Sequence, residues 1–432
     1  MSGTSPPSPA NDGTGPRARI QVVGVGADGW DGLIPRAREI VLSAAVVLGG
    51  ARHLALLPPV PGQRREPWPA PLRAGLPALL ASVGGGSAGS EPAGGGPRGS
   101  RVVALASGDP MLSGIGTTLI ELLGAEAVSV IPAVSSVALA RAELGWAAES
   151  CAVVSVTRED PSSVLRELAP GRRVLVLSAD ERTPGQVAGL LAAAGYGDSV
   201  MTVLGDLGSD QASRVSATAE SWRAPARQAG ISRLNIIALE LAGPRAGGWV
   251  AGLPDDAFEH DGQLTKRDLR ASALARLAPA PGERLWDVGA GAGSVGIEWM
   301  RAHPACTATA VEANAERAAR IARNAARLGV PRLEVVTGRA PEALEGLPAP
   351  DAVFIGGGAT RDGVLDTCLS ALRHGGRLVV HGVTLETERL LADAYTRHGG
   401  ELTRIALETA APIGSFTGWS PARTVTQWSF TR

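Results

Sequence analysis

Short apolar segments alternate with stretches of helical periodicity along nearly the whole chain of 432 residues. This alternation is typical of an α/β protein whose strands form largely parallel sheets. In the first half, the pattern predicts strands at residues 19–25, 45–48, 102–106, 127–131, 152–156, 173–177, 201–204 and 234–239. In the second half, it predicts strands at residues 284–288, 306–311, 333–336, 352–355 and 377–381, followed by two antiparallel edge strands at 401–407 and 424–430.

Segments rich in glycine, proline and serine interrupt this pattern and indicate the domain organisation. Residues 1–18 lack an apolar centre, which predicts a disordered tail. Residues 84–100 hold eight glycines in seventeen positions, which predicts a flexible insertion within a domain. Residues 242–255 read as a Gly/Pro-rich linker. We therefore expect two domains, at residues 19–241 and 256–432.

The most informative segment is residues 285–296, which read Leu-Trp-Asp-Val-Gly-Ala-Gly-Ala-Gly-Ser-Val-Gly. An apolar strand leads into Asp287, three glycines follow at alternate positions, and a helical pattern comes next. Such glycines let the backbone turn sharply and let a ligand lie against bare peptide groups. Glu312 ends the next apolar segment, 23 positions after Gly289, where a carboxylate can accept hydrogen bonds from both ribose hydroxyls. The pattern predicts a nucleoside site; a tight turn without a ligand is the alternative.

The order of the acid and the glycines distinguishes two nucleoside cofactors. A dinucleotide site has the spacing G-x-G-x-x-G, whereas this turn reads D-x-G-x-G-x-G. It resembles motif I of class I S-adenosylmethionine (SAM) methyltransferases, and Glu312 resembles the acid that ends their second strand. The resemblance implies a Rossmann-like class I methyltransferase fold with SAM as cofactor. The SAM contacts that it predicts are Asp287, Gly289, Ala290, Gly291, Ala292, Gly293 and Glu312.

Three further segments of the second domain carry candidate contacts. Thr265 is predicted to cap a helix that begins one residue later, and the resemblance places its hydroxyl against the amino-acid part of SAM. The resemblance also places Ala340 against the adenine. The fourth strand ends in Gly356, Gly357 and Gly358, where amine methylases often have Asn/Asp-Pro-Pro-aromatic. Glycines let a large flat substrate approach the backbone, which favours a macrocycle over a nucleic-acid base; a flexible loop is the alternative.

Four loops in the first half, at residues 24–29, 106–110, 131–136 and 204–208, follow predicted strands, where open α/β sheets bind ligands. Residues 24–29 formally match G-x-G-x-x-G, but no acid ends the next strand, which argues against a dinucleotide. In order, the loops resemble the SAM-cleft motifs of the tetrapyrrole methylase family, except that Ala27 stands where many members have Pro or Gly. The resemblance implies an α/β fold with two lobes. The SAM contacts that it predicts are Gly24, Gly26, Gly108, Asp109, Ser135, Ser136 and Leu204.

Both resemblances occur in one chain, and the combination is more specific than either alone. It resembles the decarboxylating precorrin-6B C-methyltransferases of cobalamin biosynthesis. In that family, the N-terminal domain methylates carbon 5. The C-terminal domain methylates carbon 15 and removes the carboxyl group of the ring C acetate, giving precorrin-8. We expect a side chain near the C-terminal cleft to hold the acetate or tune ring protonation, with His260, Arg267 and His381 as candidates. A solvated or purely structural role is the alternative for each.

Composition limits the remaining classes of function. The formal net charge is −1, from 41 basic and 42 acidic residues, so no cationic field favours nucleic acid as a partner. Three scattered cysteines and six histidines follow no ligand spacing, so we expect no metal. No apolar run approaches the roughly 20 residues that cross a bilayer, so we expect a cytoplasmic enzyme without a membrane partner. The resemblance implies a small-molecule tetrapyrrole substrate and a homo-oligomer of unknown order.

Three alternatives stay open at this point. Only one of the two domains could be active, and the insertion and Ala27 bear most on the first. The chain could methylate RNA or protein, which the balanced charge and 3% aromatic residues disfavour. It could also bind SAM as a sensor without turnover.

Overall fold

The computed structural model describes residues 20–84, 102–244 and 248–432. The predicted tail, nearly all of the predicted insertion and three residues of the predicted linker lie outside the described residues. The chain divides into two compact units. The first runs to Thr157 and adds Arg173–Gly185 and Val200–Leu239, while the second comprises Arg158–Arg172, Gln186–Ser199 and Glu240–Arg432.

The first half of the described chain alternates strands and helices. Its strands are β1 (Ile20–Val25), β2 (Val46–Gly49), β3 (Arg64–Pro67), β4 (Val102–Ser107), β5 (Val128–Ile131), β6 (Cys151–Ser155), β7 (Arg173–Leu177), β8 (Val200–Gly205), β9 (Ser213–Thr218) and β10 (Asn235–Glu240). Its helices are α1 (Pro35–Ser43), α2 (Ala51–Ala55), α3 (Leu72–Gly84), α4 (Ile115–Leu123), α5 (Ser136–Leu144), α6 (Thr183–Ala193), α7 (Ala219–Trp222) and α8 (Pro225–Gln228).

Two five-stranded sheets organise the first unit. One is parallel, with the order β3-β2-β4-β1-β5, and the other has the order β6-β7-β10-β8-β9. Neighbouring residues of β1 and β4 belong to different apolar clusters: Val22 and Ala104 to one, Val23 and Leu105 to the other. Because side chains alternate between the faces of a strand, the parallel sheet is buried on both faces. Ligands can therefore reach it only at the ends of its strands.

The second half continues the alternation and ends in antiparallel strands. Its strands are β11 (Arg284–Val288), β12 (Thr307–Glu312), β13 (Glu334–Thr337), β14 (Ala352–Ile355), β15 (Arg377–Gly382), β16 (Glu401–Ile405), β17 (Glu408–Ile413), β18 (Phe416–Pro421) and β19 (Val425–Thr431). Its helices are α9 (Arg267–Leu277), α10 (Ser294–Ala302), α11 (Ala315–Arg327), α12 (Val364–Ala371) and α13 (Leu385–His398).

A seven-stranded sheet with the order β13-β12-β11-β14-β15-β19-β16 forms the centre of the second unit. The strands from β13 to β15 are parallel. The chain steps outward from β11 through β12 to β13 and then returns to the other side of β11 as β14. A reversal of strand order opens a crevice at the carboxyl ends of the two strands beside it. Here, those strands are β11 and β14, which carry the two glycine-rich loops singled out in the sequence.

Every strand predicted from the sequence is present, and each of its ends lies within two residues of the predicted end. The position of one predicted strand in its sheet differs from the prediction. The expectation of an edge strand at 424–430 is wrong, because β19 lies between β15 and β16 and pairs antiparallel with both. Trp428 in β19 is fully buried, as an interior strand requires. Strands β3, β9, β17 and β18 were not predicted, because their side chains are mostly exposed or half-buried and so show no clear apolar alternation.

Candidate active sites

The loop after β11 has a backbone that suits glycine. Gly289, Gly291 and Gly293 have φ values of 68°, 60° and 76°, in the left-handed region that other residues rarely adopt. The N–H groups of Gly289 and Ala290 donate to the Val311 carbonyl at 2.9 and 3.2 Å, which ties the loop to β12. The alternating glycines therefore make the turn itself, as the sequence predicted.

The same glycines allow three segments to meet. A Cβ atom on Gly289 would lie 2.6 Å from the Gly357 carbonyl oxygen, and one on Gly291 would lie 2.9 Å from the Gln263 carbonyl oxygen. The loop after β14 and the segment before α9 thus both pass against the glycine turn. The structure brings the predicted cofactor contact Gly289 next to the predicted substrate contact Gly357. In contrast, a Cβ on Gly357 or Gly358 would meet no atom within 4 Å, so that side of the loop is open.

Two buried carboxyl groups flank the turn. Glu312 accepts hydrogen bonds from the Gly291 N–H through Oε2 and from the Asn314 N–H through Oε1, both at 2.9 Å. Asp287 accepts from the Gly296 N–H through Oδ2 at 2.9 Å, whereas its buried Oδ1 has no hydrogen-bond partner among the described residues. Burial raises the pKa of Asp287 to about 7, the Gly296 N–H opposes this shift, and the charge of Glu312 adds to it. An unpartnered carboxyl oxygen beside a glycine turn suits a ligand that carries positive charge.

The prediction that Thr265 caps a helix is wrong by one residue. Helix α9 begins at Arg267, and its N-cap residue is Lys266, whose side chain makes no capping hydrogen bond. The reason lies in Arg270, which is fully buried and donates from Nη1 to the Thr265 carbonyl at 2.5 Å. Arg270 also donates from Nε to Glu298 at 2.5 Å. This buried ion pair holds the chain before α9 in place, and the predicted role of the Thr265 hydroxyl stays a prediction.

The structure separates the catalytic candidates by burial. His260 and Arg267 are exposed, and His260 Nδ1 accepts from the Gly262 N–H at 3.0 Å. His381 is buried in β15, with Nε2 at 2.9 Å from the side-chain amide of Gln427 and its ring edge-on to Phe354. Burial lowers the pKa of His381, which leaves the imidazole neutral near pH 7. Their roles stay predictions.

The predicted adenine contact Ala340 is half-buried and lies between β13 and a 3₁₀ turn at Glu342–Leu344. It follows the strand next to β12, whose last residue is Glu312. Parallel strands bring their carboxyl ends to one edge of the sheet, so Ala340 lies on the same edge as the glycine turn.

Backbone segments also come into close contact in the first unit, as they do at the glycine turn of the second. A Cβ on Gly24 would lie 2.1 Å from the Gly108 carbonyl oxygen and 2.6 Å from the Ala133 nitrogen. Gly108 has φ of 54°, and its N–H donates to the Val25 carbonyl at 2.8 Å. The loops after β4 and β5 therefore meet the last residues of β1 at the carboxyl edge of the parallel sheet.

Other predicted contacts of the first unit have local structural roles. Asp109 Oδ1 accepts from the Met111 N–H at 2.9 Å. Ser135 caps α5 by accepting from the Ala138 N–H at 3.1 Å, and Ser136 is the first residue of that helix. Leu204 in β8 is buried in the same cluster as Val137 of α5. A Cβ on Gly26 would lie 2.3 Å from Asp28 Oδ1, so the close approach there is to a side chain of the same loop.

Comparisons with known proteins match these two halves separately and together. Residues 19–221 match the tetrapyrrole (corrin/porphyrin) methylases, and residues 256–432 match the precorrin methyltransferase domain. The precorrin-6Y C(5,15)-methyltransferase [decarboxylating] of a Sinorhizobium species is 44% identical over 96% of both chains. The chain belongs to that family.

Two shorter proteins are each similar to a part of this chain. The cobalt-precorrin-7 C(5)-methyltransferase of Salmonella typhimurium is 32% identical over 43% of this chain and 83% of its own length. The cobalt-precorrin-6B C(15)-methyltransferase (decarboxylating) of the same organism is 32% identical over 35% of this chain and 80% of its own length. Membership confirms the predicted enzyme class, a methyltransferase with SAM as cofactor, and both predicted folds.

Three residues that shape these sites were not predicted from the sequence. Arg270 and Glu298 form the buried pair before α9, and Asn324 of α11 contacts the glycine turn. A signal for Asn324 is present in the sequence, because it lies three positions after Ile321 and therefore on the buried face of α11. Within the described residues, no helix is long and apolar enough for a membrane span, and no group of three or more potential metal ligands is found.

Proposed function

We propose that this chain methylates carbons 5 and 15 of precorrin-6B and removes the carboxyl group of the ring C acetate, giving precorrin-8. The observation that carries the proposal is the presence of two separate glycine-lined loop sites in one chain. Each unit has one of these sites, at the carboxyl ends of its parallel strands. The names of the two shorter relatives, a C(5) enzyme and a decarboxylating C(15) enzyme, support a division of the work between the halves.

In the second unit, the residues present fit SAM. Close contacts at Gly289 and Gly291 leave bare peptide groups at the turn, and the unpartnered Oδ1 of Asp287 lies beside it. We assign the ribose to Glu312, the adenine to Ala340, and the amino-acid part to Thr265 and residues 289–293. When bound, SAM supplies a methyl group on a positively charged sulfur. A nucleophile attacks the methyl carbon in line with the sulfur, which leaves as a neutral thioether.

In the first unit, we assign a second SAM site to the loops that meet at Gly24 and Gly108. Gly26, Asp109, Ser135, Ser136 and Leu204 complete the set that the family resemblance predicts. Asp109 already bonds the backbone of its own loop and Ser135 caps α5, so both support the shape of the cleft whether or not they touch the ligand.

The loop formed by Gly356, Gly357 and Gly358 supports a flat macrocyclic substrate. The open space beside Gly357 and Gly358 lets a ring approach the backbone without meeting a side chain. An electron-rich meso carbon of the macrocycle is itself a nucleophile, so this chain needs to supply mainly position. Loss of the acetate carboxyl group releases an electron pair that a protonated ring nitrogen can accept. His260 and Arg267, both exposed, are the candidates for holding the acetate, and the neutral His381 is suited to positioning through Gln427.

The mass of the product tests this function directly. Purified protein is incubated with SAM and precorrin-6B, and we expect a gain of two methyl groups with loss of one carboxyl group. One methyl group with carboxyl loss would show that only the second unit is active, and one methyl group alone would point to the first. An unchanged substrate, with methyl transfer to RNA or protein instead, would overturn the proposal.

The affinity of the second site for SAM is expected to rise with pH up to about 7. The cationic ligand favours the ionised form of Asp287, whose pKa of about 7 in the free protein means that binding below this pH releases a proton. The affinity then increases by up to about tenfold per pH unit and levels off above pH 7. Calorimetry in buffers of different ionisation enthalpy measures the released proton. In Asp287→Asn, this site should release none; equal proton release by both proteins would contradict the assignment.

We further propose that the enzyme acts in the cytoplasm and that it is a homo-oligomer of unknown order, as the family resemblance implies. Light scattering on the purified full chain measures the mass of the assembly, and a monomer at micromolar concentration would contradict this expectation.

A further inference from the structure

The side chain of Asn324 is fully buried in α11, and all of its hydrogen-bonding capacity is used. Its Oδ1 accepts from the Glu259 N–H at 2.9 Å and from Arg327 Nη2 at 3.2 Å. Its Nδ2 donates to the Glu259 carbonyl and to the Ala292 carbonyl, both at 3.0 Å. One side-chain amide therefore joins two backbone segments that are 33 positions apart in the sequence.

The first of these segments is residues 259–265, which we call the strap. It passes against the glycine turn, since the Gln263 carbonyl oxygen lies 2.9 Å from where a Cβ on Gly291 would be. Thr265, at its end, is held through its carbonyl by Arg270. The second segment is the glycine turn itself, where Ala292 lies between Gly291 and Gly293. Asn324 thus bonds both segments that border the proposed binding place of the amino-acid part of SAM.

Two ion pairs of the strap are weaker than the buried Arg270 bond to Thr265. Arg317 Nε donates to Asp261 at 2.8 Å and Arg323 Nε donates to Glu259 at 3.0 Å, but each of these ion pairs is solvent-accessible. Exposed ion pairs contribute little because water competes for both charges. A buried amide has no water to replace a lost partner, so its hydrogen bonds hold the backbone more firmly.

We propose that Asn324 is a positioning residue for the second site, which sets the gap between the strap and the glycine turn so that SAM fits between them. The inference rests on the proposed assignment of SAM to this site. A residue that served only the core of α11 would be apolar, like Ile321 and Ala325 on the same face. Here, a polar group is buried instead, and three of its four hydrogen bonds reach the backbone of the two bordering segments.

The test uses the full chain and the variant Asn324→Asp, which keeps the size of the side chain but replaces both N–H donors by an acceptor. Hydrogen–deuterium exchange with mass spectrometry follows protection of residues 285–293 as SAM is added. We expect the SAM concentration for half protection to rise at least about tenfold, because two donor bonds to the segments are lost. The KM for SAM in carboxyl loss should rise similarly, with kcat at saturating SAM nearly unchanged.

A matched control exists in the first unit. The Asn235 Nδ2 donates to the Asp180 and Ser232 carbonyls at 3.2 and 2.9 Å, so Asn235→Asp removes the same kind of bond pair far from the strap in the chain. This control should leave half protection of residues 285–293 unchanged. Asn324→Ser, which is neutral and smaller, serves as a second variant and should also weaken SAM binding if Asn324→Asp fails to fold.

The outcomes separate this inference from the function on which it rests. Wild-type protein without SAM-dependent protection at residues 285–293 would overturn the proposed site, and with it this role. Wild-type protection with equal half-saturation in a folded Asn324 variant would overturn the positioning role alone. Loss of folding in both Asn324 variants would also overturn it, because the amide would then serve the fold and not the site.

Discussion

Replacing Gly289 by alanine is expected to lower carbon 15 methylation and carboxyl loss at least about a hundredfold, while carbon 5 methylation continues. The added Cβ would lie 2.6 Å from the Gly357 oxygen and 2.9 Å from the Gly357 nitrogen, so one of the two loops must move. The φ of 68° adds strain for any residue with a side chain. Since both loops belong to the proposed site, a shift of about 1 Å misplaces the cofactor against the substrate. The mass of the product from SAM and precorrin-6B measures the effect.

Gly282→Ala is the matched control for this variant. Gly282 has φ of 87°, but a Cβ there would meet no atom within 4 Å. It precedes β11, at the amino end of the strand that carries the glycine turn at its carboxyl end. The control therefore introduces similar backbone strain without a clash, and both reactions should continue. Full activity of Gly289→Ala at carbon 15 would show that the reacting groups do not meet at this turn.

Replacing Gly24 by alanine should have the complementary result: carbon 5 methylation is lost at least about a hundredfold, and carboxyl loss persists. The Cβ would lie 2.1 Å from the Gly108 oxygen and 2.6 Å from the Ala133 nitrogen, both of them backbone atoms that cannot rotate away. The loops after β4 and β5 must then separate from β1, which opens the proposed cleft of the first unit. Product mass again gives the readout, now as one methyl group gained with one carboxyl group lost.

Gly189→Ala tests whether an added methyl group alone harms the protein. Gly189 lies within α6, where a Cβ would meet no atom within 4 Å and where alanine is the better helix former. We expect both activities to be retained and the thermal unfolding midpoint to stay the same or rise slightly. If Gly24→Ala abolished both reactions while remaining folded, the two units would not act independently, and the division of work proposed above would be wrong.

Much of the fold follows from local patterns in the chain. The strands whose side chains are almost continuously buried, such as β1 and β11, were predicted to within two residues because a short apolar run is a property of adjacent positions. The strands that were missed, such as β9 and β17, are largely exposed and show no such pattern. The position of β19 between β15 and β16 was also missed, since pairing depends on residues far away in the sequence.

In the candidate sites too, the features encoded by adjacent residues were predicted and those that depend on distant residues were not. The glycine turn at residues 289–293 and the buried acids Asp287 and Glu312 were predicted, because a left-handed backbone and a strand-ending carboxylate are encoded locally. The helix start after Thr265 was misplaced by one residue, because Arg270 holds the Thr265 carbonyl from within the helix. Its own partner, Glu298, lies 28 positions further along, so no local rule could have supplied it.

The sequence by itself determined that this chain is an α/β protein with two sets of SAM motifs and belongs to a decarboxylating precorrin methyltransferase family. Those features depend on residue type and spacing over a few positions. Only the tertiary structure decided that Gly289 touches Gly357, that Gly24 touches Gly108, and that Asn324 bonds the strap and the glycine turn together. The physical reason is that a buried polar group or a missing side chain is specified by its partner in space, and that partner is set by how the whole chain packs.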